Sequence, residues 1–70
     1  MTTNLTNKTR RAIEKYGEVV CTHAFRLNRE VGEGPSTIGI GLGITTMQAN
    51  AAINAGAEIT AWRKNNQANA

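Results

Sequence analysis

The chain has 70 residues, with eight Lys/Arg against five Glu and no Asp, a net charge of +3 and a pI near 9.6. That length holds one domain at most, and its core supplies only about 3–5 kcal/mol unless something assists it. One cysteine, Cys21, excludes an internal disulfide, and no Cys/His cluster has the spacing of a zinc site, so self-association is the expected assistance and a homodimer the expected state. Residues 1–5 are expected to fray. Thr6 is a candidate N-cap, since its hydroxyl can accept from an unpaired amide of the first turn. Apolar residues then recur at Ala12, Ile13, Tyr16, Val19, Val20, Ala24, Leu27 and Val31, the threes and fours of an amphipathic helix. Gly17 interrupts that stripe, so the stretch is one long helix or two helices meeting there. Because the stripe stays in phase across Gly17, the reading favours one helix from about 7 to 31. Gly32-Glu33-Gly34-Pro35 ends it.

Residues 36–46 read two ways. Ile38, Ile40, Leu42 and Ile44 alternate with glycines and imitate a strand, yet no second strand exists to pair with it, and the glycines would weaken it. As a helix, Ser36 caps, Ile38, Gly39 and Leu42 face inward, and Gly43 ends it; this reading is favoured. Thr45 or Thr46 then caps an alanine-rich helix through Ala55. Gly56 fits either a helix end or a tight contact between helices. A short last helix is expected from about Ala57 to Asn65, with Ile59, Ala61 and Trp62 inward and residues 66–70 frayed. The fold class is therefore all-α: one small domain over residues 1–70.

Within it, Pro35 to Ile53 resembles the helix-turn-helix of small phage and prophage DNA-binding regulators. Gly39 matches the small residue of the first helix, and Leu42, Gly43 and Ile44 match the apolar–glycine–apolar turn. Thr45 and Thr46 match the threonine that often opens the second helix. A positive φ angle at the turn costs glycine no strain. Ile40 and Gly41 depart from the polar helix formers usual in such first helices, and the second helix carries no Arg or Lys. The resemblance implies a transcription regulator whose second helix enters the major groove of double-stranded DNA. Its outward residues would be Thr45, Thr46, Met47, Gln48, Asn50 and Asn54. Amides pair with adenine, and threonine offers a hydroxyl or a methyl group. Lys8, Arg10, Arg11, Arg63 and Lys64 would meet phosphates, which fix register without reading sequence.

The alternative is a small helical inhibitor or adaptor that binds a host protein. It would dock through the uncharged stretch from Ile38 to Gly56, with the basic residues as solubilisers. The remaining features are weaker. Cys21 reads as a small buried hydrophobe, and Cys21 and His23, two apart on a helix, point about 200° away from each other. The glycines at 39, 41 and 43 lack the Lys-Ser/Thr of a phosphate loop. Trp62 reads as a core or dimer anchor. With no paired carboxylates, triad or metal cluster, neither catalysis nor a cofactor is expected. The polar segment Met1–Asn7 has no signal-like apolar region, and no apolar run approaches the roughly 20 residues of a bilayer span. A cytoplasmic protein without a membrane partner is the expectation.

Overall fold

The structure, a computed structural model, describes residues 5–68, with side chains through residue 65. The described residues form four α-helices: α1 (Asn7–Tyr16), α2 (Glu18–Arg26), α3 (Pro35–Leu42) and α4 (Thr46–Ala68). A π-helical turn, Leu27–Val31, continues α2. The protein is all-α, and residues 36–42 are helical rather than extended. Of the residues expected to fray, 1–4 and 69–70 lie outside the described residues, whereas 66–68 continue α4.

Two helix boundaries differ from the periodic reading. The N-terminal helix is broken at Gly17, whose φ of 92° and ψ of 150° belong to a region that glycine alone occupies at low cost. Its N–H donates to Ile13 O at 2.8 Å, closing α1, and its carbonyl accepts from Cys21 N at 3.2 Å, opening α2. The turn resets the helical phase. Val19, predicted to face inward, is 79% exposed, whereas Cys21 is fully buried. The second correction concerns Gly56, which ends nothing. The expected short C-terminal helix is the continuation of α4, and Gly56 lies at its tightest crossing. A Cβ there would stand 2.1 Å from Cys21 O and 2.6 Å from Phe25 Cβ. Glycine is what allows α2 to lie against α4, the most extensive packing in the molecule.

The core consists of Ala12, Cys21, Ala24, Ile38, Ala49, Ala52, Ile53, Ala55 and Ile59. Small side chains let the helix axes approach, and three isoleucines fill the volume between them. Ile13, Tyr16, Phe25, Leu27, Leu42 and Ile44 close over it. Around α3 the backbone is held at both ends. Pro35 occupies its first turn, where the missing N–H is no loss. At the other end, Ile44 N donates to Gly39 O (2.9 Å) and Gly43 N to Ile40 O (3.3 Å), the paired bonds of a Schellman cap. Gly43 takes φ 75° to make it.

Candidate nucleic-acid interface

The start of α4 is fixed by a reciprocal pair of hydrogen bonds. Gln48 N donates to Thr45 Oγ1 and Thr45 N donates to Gln48 Oε1, each at 3.0 Å. This Thr-x-x-Gln capping box satisfies two otherwise orphaned amides. It also occupies two polar atoms of the expected base-reading set, so Thr45 and Gln48 act first as a clamp on the helix terminus. Beyond them Thr46, Asn50 and Asn54, spaced four apart, form one exposed row, with Met47 beside it and 82% exposed.

Helix α1 supplies the charge. It carries Lys8, Arg10, Arg11 and Lys15 against one glutamate, Glu14, a net of +3. The rest of the chain balances: Arg26, Arg29, Arg63 and Lys64 against Glu18, Glu30, Glu33 and Glu58. The net charge of the protein thus resides in ten residues. Lys8, Arg11 and Lys15 fall at i, i+3 and i+7, on one face. That face borders a groove between α1 and α4, where these three cations share the lining with Asn54, Ala51 and Ala55 of α4. Lys15 Nζ rests 5.6 Å from the centroid of the Tyr16 ring at one end. Among the described residues no carboxylate forms an ion pair with Lys8 or Arg11.

At the other end of the groove Glu58 anchors α1. Its carboxylate accepts from Thr6 N at 3.0 Å and from Thr6 Oγ1 at 3.1 Å. Thr6 Oγ1 in turn accepts from Thr9 N at 3.3 Å, which is the expected N-cap. A hydroxyl has one proton, and the carboxylate is the stronger acceptor for it. The bond from the Thr6 backbone N–H, helped by the Thr9 and Thr6 side chains and opposed by partial burial, holds the Glu58 carboxyl below its usual range.

The remaining candidates lie elsewhere. Arg63 is nine residues beyond Asn54, half a rotation around the helix, and is ion-paired with Glu18 at the start of α2. It does not join the row of asparagines. Lys64 is exposed and turned closer to that row, but stands about 15 Å along the axis from Asn54. Arg10 is exposed on α1, outside the groove. Cys21 is buried, and desolvation raises its thiol pKa. Trp62 is half-buried. The groove residues absent from the expected site include Lys15, Tyr16 and Glu58. The i, i+3, i+7 spacing of the cations was a usable signal for Lys15, whereas Glu58 becomes relevant only once α1 is docked. No group of three or more metal-ligating side chains occurs among the described residues, and none of the described helices is long and apolar enough to cross a membrane. Compared with known proteins, the chain matches no family model, no curated protein and no solved structure.

Proposed function

We propose that this chain is a DNA-binding transcription regulator of the small phage type, which acts by binding rather than catalysis. The exposed row Thr46, Asn50 and Asn54, with Met47, reads the major groove. Lys8, Arg11 and Lys15 neutralise phosphates alongside it. The observation that carries this reading is the shared groove: the helix holding all the net charge runs beside the helix holding the amides. Phosphate attraction and base recognition then act on one side of the molecule, as direct readout requires. Arg63 has no part in this reading. Two copies related by a two-fold axis would set two α4 helices in successive major grooves, about 34 Å apart.

The test is fluorescence anisotropy against random-sequence duplex DNA, titrated with salt. Affinity should fall steeply with salt, as expected for counterion release from a few phosphates. Once an operator is selected, Asn50→Ala with Asn54→Ala should cost about 1–3 kcal/mol for each lost base pairing and relax sequence preference. Unchanged preference would refute the assignment of the row. Absence of binding even at low salt would refute the regulator. One observation favours a second reading, in which a host protein is the partner. Ile40 and Met47, on either side of the α3–α4 turn, are 81% and 82% exposed. In that case Ile40→Ser with Met47→Ser abolishes capture of the partner and leaves the fold intact.

A further inference from the structure

The α1–α4 groove has a feature that duplex DNA does not use. Besides its cations and Asn54, its lining has an apolar floor: the exposed methyl group of Ala51 and the half-buried ring of Tyr16, over the nearly covered methyl groups of Ala12 and Ala55. The groove encloses about 890 Å³, toward the upper end of the roughly 300–1,000 Å³ of ligand sites. It follows α1 from Thr6 to Tyr16, a length of about 15 Å at 1.5 Å per residue. A phosphate backbone gains from the cations on its lip and nothing from this floor. An occupant that gains from both has an apolar stripe flanked by anions.

We propose that this groove docks an acidic amphipathic helix of a partner protein, about three turns long. Its apolar side chains, spaced i, i+3 or i+4, and i+7, lie on the apolar floor, and its carboxylates face Lys8, Arg11 and Lys15. Charge complementarity selects this occupant over a second copy of the chain. Helix α1 is cationic, α3 is uncharged, and α4 carries one glutamate, Glu58, already engaged by Thr6. The glutamate of α2, Glu18, is paired with Arg63. Among the described residues no helix offers an acidic amphipathic face. The inference stands apart from the DNA reading, although an occupied groove would cover the same three cations.

The experiment is an NMR titration of the full-length, ¹⁵N-labelled chain with three synthetic peptides. One carries a leucine stripe flanked by glutamates, one has the same stripe flanked by lysines, and one keeps the glutamates with serine for leucine. The acidic amphipathic peptide alone should perturb the amides of Ala12, Ala51 and Ala55. Ala51→Glu, which places a carboxylate on the floor at an exposed helical position, should weaken it by about tenfold or more, and Arg11→Glu similarly. Wild-type circular dichroism in both variants separates loss of binding from loss of fold. Equal responses to all three peptides, perturbations centred on Ile40 and Met47, or no binding would each overturn the proposal. Salt-dependent DNA binding without peptide binding overturns it and leaves the regulator reading standing. Peptide binding without DNA binding supports it and removes that reading.

Discussion

Three glycines do different work, and single substitutions separate them. At Gly56 an added methyl meets Cys21 O and Phe25 Cβ, both part of a packed crossing that has nowhere to move. Gly56→Ala should therefore destabilise by roughly 2–3 kcal/mol, much of what so small a core supplies. Gly43 faces open space and costs only its left-handed backbone, so Gly43→Ala should lose about 1–2 kcal/mol. Urea unfolding distinguishes them, the first giving the larger drop in midpoint. Gly39 is intermediate in kind: a Cβ there would stand 2.8 Å from Ile44 O, so the turn folds directly over it. The local roles of Gly39 and Gly43 were legible, as a small residue under a close approach and a glycine at a left-handed turn. Gly56 was only half legible, because a helix end and a helix crossing both favour glycine, and only the packing of α2 separates the two.

Glu58 makes the second prediction at this scale. Its carboxyl titrates below the ordinary glutamate value of 4.5 because the ionised form accepts bonds from Thr6. A depressed folded-state pKa means the anchor's stabilisation is complete above that value and is lost as pH falls through the folded-state one. Glu58→Gln should cost about 0.5–1 kcal/mol at neutral pH, a modest figure because the site is exposed to solvent. The gap between wild type and variant should close as acid protonates Glu58. A gap unchanged from pH 7 to pH 3 would remove the anchor from the account.

At the scale of elements, the helices were more legible than their joints. Thr6 caps α1 as its hydroxyl suggested, and residues 36–42 are helical because no second strand was present to pair with them. Gly17 was misread since spacings of three and four run through it unbroken; its φ of 92° reflects how α1 docks on α4, which no local pattern encodes. The separation of Arg63 from Asn54 follows from their nine-residue spacing once α4 is known to be continuous. It was hidden by the expectation of a helix end at Gly56. The capping box was present in the letters, Thr45-x-x-Gln48, and assigns those residues to the helix terminus. Thr45→Ala should cost about 1 kcal/mol and speed amide hydrogen exchange at Gln48 ahead of the rest of α4. Exchange unchanged at Gln48 would contradict the clamp.

For the whole molecule the deciding quantity is the size of the core. Five of its nine buried apolar residues are alanines, and Ile38, Ile53 and Ile59 carry most of the burial at about 1.5–3 kcal/mol each. Outside it, Val19, Val31, Ile40 and Met47 remain 64–82% exposed. A domain that leaves such side chains in water gains by covering them. If a second copy does so, the melting temperature should rise as protein concentration increases by about a hundredfold. A melting temperature independent of concentration, with a monomer in sedimentation, would rule out the dimer. The described residues span 37 × 24 × 14 Å.

The confinement of all net charge to α1 has a consequence for how such a protein changes over generations. That helix is joined to the rest by Gly17 and moored by Glu58 on Thr6, and it buries Ala12 and Thr9 and packs Ile13 and Tyr16 against the core. Its outward letters are therefore free to vary while α2, α3 and α4 stay as they are. Exchanging Lys8, Arg11 and Lys15 for neutral or acidic residues would keep the same scaffold and remove or reverse the charge along the groove.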